Sequence, residues 1–455
     1  MVLCTVLQLL HEWVGPTFAP LVVVFISILF LIFLVAWLRL NTFISFLLVC
    51  LFMGLTLDMK ISDITQSVQT GIGKTLGSLV IIIVFGSMLG KLVAESGAAQ
   101  RIANGLMNVF GRKYVQWSLM LTGFIVGIPL FYNIGFVLMV PLIFTVAART
   151  KLPAVYLGIP MLASLSVTHG YLPPHPSPTA LVGTFHANMG LTLLYGLLVA
   201  IPSIILAGPV FSRFLKKYTQ EPAKLFTIVP IPDEELPTMS NSILAALLPV
   251  ILLAGTALLK LVVAPETVWF KIATWLGDPV IVMLLAVLNG VYILGIRRGT
   301  PVKKVMSLLD EAIKDVSVII LIIGGSGALT QMLLDSKVSG AIATSLQHMH
   351  MNPLLLAWSI AALIRVSVGS ATVAGLTTAG IIAPLVVGST INPSLMVLAT
   401  GAGSLMFSHV NDGGFWMFKE YFNLSVKDTF KTWTVMETIV SVVGLLGCLL
   451  MSLFV

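Results

Sequence analysis

The residues of this sequence best suited to chemistry are charged or titratable side chains within apolar stretches. Arg365 lies in such a stretch, where a charge costs about 2.5–3.5 kcal/mol on the membrane-insertion scale. Its planar guanidinium matches the fork of a carboxylate, so it predicts an anchor for an anionic ligand. A structural pair with Asp412 or Asp335, or snorkelling of the side chain to a membrane surface, is the alternative.

Three residues are candidates for carrying a proton. His169 and His409 occupy equivalent places in a duplicated motif, and imidazole titrates near neutral pH. Asp412 follows Asn411, and a carboxyl group in a dry site can carry a proton. The alternatives are that the imidazoles satisfy exposed backbone at helix breaks and that Asp412 caps a helix starting near Gly413.

Uncharged polar groups lie close to these residues in the sequence. Hydroxyl and amide groups suit a polyhydroxylated ligand, although they also suit helix packing. The candidates are Asn133, Ser367, Ser370, Thr372, Ser408 and Asn411, with the backbone at Gly369. His175 lies among four prolines, where packing and ligand contact are equally open. His348 and His350 have no third ligand, so we expect no metal and no other cofactor.

The elements that position these groups belong to two related halves of the sequence. The pattern Ser164-Leu165-x-x-Thr168-His169 recurs as Ser404-Leu405-x-x-Ser408-His409, an offset of 404 − 164 = 240 residues. Internal repeats in apolar chains are typical of transporters that hold their solute where the halves meet. We predict a first repeat over 1–212, a cytoplasmic link over 213–242 and a second repeat over 243–455.

Composition places the whole chain in a membrane. Apolar residues make up 58% of the 455 residues and charged residues 9%, and the mean hydropathy is +1.04. A soluble protein of this size needs more charged residues to cover its surface. We therefore predict an all-α polytopic membrane protein with about 10–14 membrane segments. The three cysteines are scattered and predict no disulfide framework. Residues 1–17 lack the pattern of a cleaved signal peptide.

The charge of +7 predicts sidedness rather than nucleic-acid binding. Basic clusters at 112–113, 149–151, 213–217 and 297–304 should face the cytoplasm. Loop 337–352 has only Lys337 as a fixed positive charge, whereas its counterpart 97–115 holds three. Equivalent loops should therefore lie on opposite sides, which makes the repeats inverted, with both termini outside.

Four stretches should interrupt helices at membrane depth. They are 127–135, 168–179, 365–375 and 408–416, each rich in glycine, proline or polar residues. Such backbone survives there only when it is buried in protein or lines a wet cavity. Helix N-termini at these breaks would offer free N–H groups to a carboxylate.

Several motifs resemble those of the gluconate permease family of sugar-acid:proton symporters, and the resemblance covers almost the whole chain. The most specific are Gly369–Ala374, Leu172–Pro178, Ser408–Trp416 and Thr432–Thr438. The resemblance implies a multi-pass carrier of the bacterial inner membrane driven by the proton gradient. It also implies re-entrant hairpins, inverted repeats and elevator-like movement. The chain departs from the family at Asn133, where many relatives carry an acidic residue.

We therefore expect a carrier that imports gluconate or a related sugar acid with a proton. Arg365, Gly369, Ser370, Thr372, Asn133, His175, Ser408 and Asn411 are the expected substrate contacts, and Asp412, His409 and His169 the expected proton carriers. The alternatives are a carrier of D-serine or another small hydroxy or amino acid, an intramembrane Ser/His enzyme and a passive channel. A homo-oligomer is compatible with the sequence.

Overall fold

A computed structural model describes residues 19–130, 132–220, 231–336, 338, 351–386 and 391–455. Within these ranges every regular element is a helix. The helices are α1 (Ala19–Ile32), α2 (Thr42–Thr56), α3 (Ile61–Glu95), α4 (Ala98–Phe110), α5 (Val115–Gly127), α6 (Tyr132–Thr150), α7 (Ala154–Tyr171), α8 (Pro176–Thr184), α9 (Met189–Leu215), α10 (Met239–Val262), α11 (Val268–Leu276), α12 (Pro279–Arg298), α13 (Val302–Asp335), α14 (Pro353–Val368), α15 (Ala371–Val386), α16 (Pro393–Gly403), α17 (Gly413–Tyr421) and α18 (Val426–Met451).

The lengths of the apolar helices confirm a polytopic membrane protein. Among the described residues, six helices (α3, α9, α10, α12, α13 and α18) are long and apolar enough to cross a bilayer. Six shorter apolar helices accompany them, which gives 6 + 6 = 12 apolar helices, within the expected range. The expectations for residues 1–17, for the middle of the link (221–230) and for most of loop 337–352 lie outside the described residues.

The two longest helices form the frame of the molecule. Helix α13 matches α3 at nearly the repeat offset, since 302 − 61 = 241 and 335 − 95 = 240. The two helices pack so closely at Gly71 that a Cβ on this residue would collide with the Gly327 carbonyl oxygen. Lys91 adds a charged contact from α3, with Nζ 3.2 Å from Glu311 and 3.7 Å from Asp315 on α13.

The predicted breaks are confirmed at all four places. Helix α5 ends at Gly127 and α6 begins at Tyr132, and in the second half α14 ends at Val368 and α15 begins at Ala371. Helix α7 ends at Tyr171 before the Pro173–Pro174 pair, and α16 ends at Gly403, ten residues before Gly413. Each break therefore separates two consecutive helices.

The breaks at 168–179 and 408–416 are not equivalent in position, contrary to the sequence comparison. His169 lies in the last turn of α7, whereas His409 lies in the loop between α16 and α17. Pro173 and Pro174 stop α7 only after Tyr171, because proline disfavours a helical conformation in the residue before it. The two histidines therefore have different surroundings despite their matching sequence positions.

Helix α7 lies at the centre of the core and joins the two halves. Nearly all of its residues are buried. The Tyr171 hydroxyl donates to the Val440 carbonyl on α18, and Thr192 on α9 donates to Ser394 on α16 at 2.9 Å. The broken tips of the two halves therefore come together around α7 and α18.

Candidate functional site

In the second half, the break between α14 and α15 lies against the loop before α17. Gly369 has φ +79°, and a Cβ there would collide with the Asn411 carbonyl oxygen, so both the conformation and the space require glycine. The same loop contacts Val366, whose carbonyl accepts from Asn411 Nδ2 at 2.7 Å and lies 2.9 Å from His409 Nε2. These contacts fix one interrupted helix against the other.

Arg365 lies in the last turn of α14, next to this junction. It is only 4% exposed. Its Nη1 donates to the Gly369 carbonyl, and its Nη2 lies 2.5 Å from Asp412 Oδ2. Its Nε is buried and has no hydrogen-bond partner. Because Nε and Nη2 share one edge of the guanidinium, Asp412 fills half of an edge that could hold both oxygens of a carboxylate.

Asp412 receives three donors. Besides Arg365, Ser408 Oγ donates to its Oδ2, and the Gly414 N–H donates to its Oδ1 at 3.0 Å as the N-cap of α17. Of the alternatives left open by the sequence, the structure has both the pairing of Arg365 with Asp412 and the capping by Asp412. Asp335 instead accepts from a serine on α3 at 2.6 Å.

Helix α18 supports this network through its π-helical turn, Phe430–Thr434. Trp433 Nε1 donates to Ser408 Oγ at 2.8 Å, and Thr434 Oγ1 donates to the Ser408 carbonyl at 2.6 Å. The Ser408 hydroxyl is therefore engaged on both sides, as acceptor from Trp433 and as donor to Asp412. In this state it supports Asp412 and has no remaining hydrogen to offer a ligand.

The first half contributes two histidines and a tyrosine on the other side of Trp433. His175 is buried, with Nε2 2.6 Å from the Gly127 carbonyl. The His169 ring centroid lies 5.5 Å from that of His175 and 5.7 Å from that of Tyr132. The Tyr132 ring lies 6.2 Å from Trp433. His169 Nδ1 and the Tyr132 hydroxyl are buried without hydrogen-bond partners, which is rare in a native core and fits a site that awaits a ligand.

The structure also brings in Glu437, a residue that sequence reasoning missed. Glu437 lies on α18, is 2% exposed and has its two carboxyl oxygens 2.7 and 2.8 Å from Ser166 Oγ on α7. The charges of Arg365 and Asp412 both act on it. The available signal was an acidic residue inside the apolar segment 432–454, within a motif to which no role was assigned.

The remaining candidates lie around the rim of this cluster. Ser370 Oγ accepts from the Val373 N–H at 3.3 Å at the start of α15, and the half-buried Thr372 follows in its first turn. Asn411 is exposed, and the half-buried His409 stacks on Phe430 with ring centroids 6.5 Å apart. The backbone of Asn133 lies in α6, and its side chain is outside the described residues.

Comparison with known proteins gives matches over nearly the whole chain. The sequence model described as GntP family permease matches residues 19–454. A high-affinity gluconate transporter of Escherichia coli K12 is 47% identical over 96% of this chain and 100% of its own length. A gluconate permease of Bacillus subtilis 168 is 46% identical over 96% and 100%. The L-idonate transporter of the Gnt-II system of E. coli K12 is 44% identical over 94% and 98%.

The fold is shared with a solved structure. The YdaH transporter of Alcanivorax borkumensis, described as having an unusual topology, superposes with a TM-score of 0.62. The match covers 87% of this chain and 89% of that one at 18% sequence identity. At this identity the likeness concerns the architecture alone.

Proposed function

We propose that this chain, which belongs to the GntP permease family, imports gluconate or a related sugar acid together with a proton. Family membership makes it a multi-pass permease of the bacterial inner membrane and confirms the resemblance found in its motifs. It is a transporter and not an enzyme, so the intramembrane-enzyme alternative is wrong. The substrate class rests on relatives named for gluconate and L-idonate.

The observation that carries the proposal is the buried guanidinium of Arg365 with an unpartnered Nε. A cation in so dry a place is costly unless it is paired and hydrogen-bonded. Asp412 supplies one oxygen to the Nε/Nη2 edge and leaves the other position empty. A sugar-acid carboxylate has the charge and the planar geometry to occupy that position.

The groups around Arg365 suit the hydroxyls of such a solute. We propose Ser370, Thr372, Asn133 and Asn411 as partners for substrate hydroxyls, with the Gly369 backbone next to the carboxylate. His175, held at the Gly127 carbonyl, bounds the site from the first half. Ser408 takes part through Asp412, because its hydroxyl is already engaged.

For the proton we propose a carboxyl or imidazole group at this site: Asp412, His409 or His169, as the sequence indicates, with Glu437 as a fourth candidate that the structure adds. The first three lie at breaks, and the charge of Asp412 acts on His169. If Asp412→Asn still accumulates solute against its gradient, Asp412 is excluded as the carrier.

We also propose that the halves are inverted repeats, over 1–212 and 243–455, and that they move as an elevator. The matched bounds of α3 and α13 support the repeat. The hydrogen bonds of α7 with α18 and of α9 with α16 support a candidate site between the halves. A homo-oligomer would give an elevator a fixed frame, and crosslinking in native membranes tests it.

Uptake by proteoliposomes tests the proposed function. Labelled gluconate should accumulate under an inward pH gradient, and a panel of sugar acids should compete with it. Arg365→Gln should weaken binding by about ten- to hundredfold, from a lost charge-assisted contact of about 1.5–3 kcal/mol. The matched control is Arg112→Gln, because Arg112 is exposed and donates to a backbone carbonyl at the end of α6.

Two outcomes would contradict the proposal. Competition by D-serine but not by sugar acids would favour the amino-acid alternative. Equilibration without accumulation under a pH gradient would favour a channel. Unchanged gluconate binding in Arg365→Gln would remove the anchor role while leaving the substrate class intact.

A further inference from the structure

We infer that Glu437 is the group that takes up and releases the transported proton. The inference rests on the proposed symport and differs from the sequence candidates Asp412, His409 and His169. It follows from the hydrogen bonding of Glu437, from the ion pairing around it and from its place between the halves.

The hydrogen-bond geometry around Glu437 suits a protonated carboxyl group. Both of its oxygens lie at hydrogen-bond distance from Ser166 Oγ, at 2.7 and 2.8 Å. A serine hydroxyl has one hydrogen, so it can donate well to only one of the two oxygens. If Glu437 carries a proton, it donates to Ser166 Oγ while the Ser166 hydroxyl donates back to the other oxygen. Each short contact then has its own hydrogen.

The ion pairs around the site leave Glu437 without a cation. Among the described residues, the salt bridges include none to Glu437, and Arg365 is committed to Asp412. An unpaired charge at 2% exposure is costly, and binding a proton removes that cost. Asp412 differs because it accepts from three donors, one of them cationic.

The charged and phenolic groups around Glu437 come from several elements. Arg365 on α14 and Asp412 before α17 act on it through their charges. Tyr132 on α6 and Tyr171 on α7 are the phenols within its electrostatic range. Arg365 is the single cation in this group, and Asp412 already holds it.

The position of Glu437 links the proton to the substrate site. Trp433 and Thr434 precede it on α18 by four and three residues, so the three side chains share one face of the helix. Trp433 and Thr434 hold Ser408, which holds Asp412 beside Arg365. Ser166 lies on α7 of the first half, so protonation of Glu437 acts on a contact between the halves.

Glu437→Gln is the decisive variant. A glutamine amide can donate to Ser166 Oγ and accept from its hydroxyl, so it preserves both contacts without titrating. For one proton per solute, a gradient of about one pH unit sustains about tenfold accumulation in the wild type. In Glu437→Gln we expect that ratio to fall to about one, while gluconate counterflow at equal pH continues. The matched control is Glu420→Gln, whose exposed carboxylate pairs with Lys419 at 2.7 Å.

The outcomes separate the inference from the function on which it rests. If wild-type uptake ignores the pH gradient, the proposed symport is wrong. If wild-type uptake follows the gradient and Glu437→Gln accumulates gluconate equally well, Glu437 is not the proton carrier. If Glu437→Gln fails to bind gluconate, Ser166→Ala provides a second test. This variant keeps the Glu437 carboxyl group and removes the hydroxyl to which it is hydrogen-bonded. An unshifted pH profile of uptake in Ser166→Ala would then overturn the inference.

Discussion

Asp412→Asn is the substitution that isolates the buried ion pair. Asparagine has nearly the same shape as aspartate and is an equally good N-cap, so the bond from the Gly414 N–H to the side chain is retained. Because that amide oxygen takes the place of Oδ1, the amide NH2 replaces Oδ2, and the Ser408 hydroxyl loses its acceptor there. The larger loss is the negative charge 2.5 Å from Arg365 Nη2.

The size of the effect follows from the burial of the two partners. Removing one member of a buried pair costs about 3–5 kcal/mol, because the other charge stays behind uncompensated. Arg365 is nearly inaccessible, but the Asp412 side chain is 17% exposed, so some water reaches the pair. We therefore expect a loss at the lower end of that range, about 3 kcal/mol.

Substrate should reverse part of this loss if Arg365 is the anchor. A gluconate carboxylate would supply the missing negative charge and occupy the whole Nε/Nη2 edge. Gluconate should then stabilise Asp412→Asn more than it stabilises the wild type, by about 1.5–3 kcal/mol. The measurement is the unfolding free energy of purified protein in detergent, with and without saturating gluconate.

The control is the double variant Arg365→Gln/Asp412→Asn, in which neither member of the ion pair carries a charge. It should be less destabilised than Asp412→Asn and should gain nothing from gluconate. A loss below about 1 kcal/mol in Asp412→Asn would place the pair among weakly coupled surface contacts and refute the burial argument. Equal stabilisation of wild type and Asp412→Asn by gluconate would refute the shared guanidinium edge.

Two further substitutions test the backbone junction and the frame. Gly369→Ala forces a side chain into φ +79° and onto the Asn411 carbonyl, costing about 1–2 kcal/mol before the collision is counted. Gly369→Ala should abolish uptake without preventing membrane insertion. Uptake by this variant at the wild-type rate would contradict the prediction. Lys91→Met leaves Glu311 and Asp315 without their cation. It should lower the melting temperature but leave the gluconate Kd unchanged, as isothermal titration in detergent can show.

The features that could be predicted from the sequence are those that depend on local chemistry. Breaks at 127–135 and 365–375 follow from glycine and proline, whose backbone preferences act within a few residues. Because a charge in hydrocarbon is costly, Arg365 can be recognised as a functional candidate before its ion-pair partner is known. The family resemblance, carried by short motifs, was confirmed over residues 19–454.

The features that could not be predicted depend on contacts distant in sequence. Arg365 had two candidate partners, and only the folded chain brings Asp412, 47 residues away, into contact. Ser408 was expected as a substrate contact, and only the folded chain brings Trp433 to it as a hydrogen-bond donor. Glu437 was missed because its partner, Ser166, lies 271 residues away, so nothing near Glu437 marks it as part of a site.

Charge balance explains why a site for one anion would contain one arginine and two acids. With Glu437 ionised and Asp412 paired to Arg365, the empty site has a net charge of about −1. A solute carboxylate entering the site would add a second negative charge and would be repelled at low dielectric. A proton on Glu437 neutralises the site first, and the solute carboxylate then returns the net charge to its starting value. On the proposed assignment, proton binding therefore precedes solute binding, and the gluconate Kd should fall as external pH is lowered.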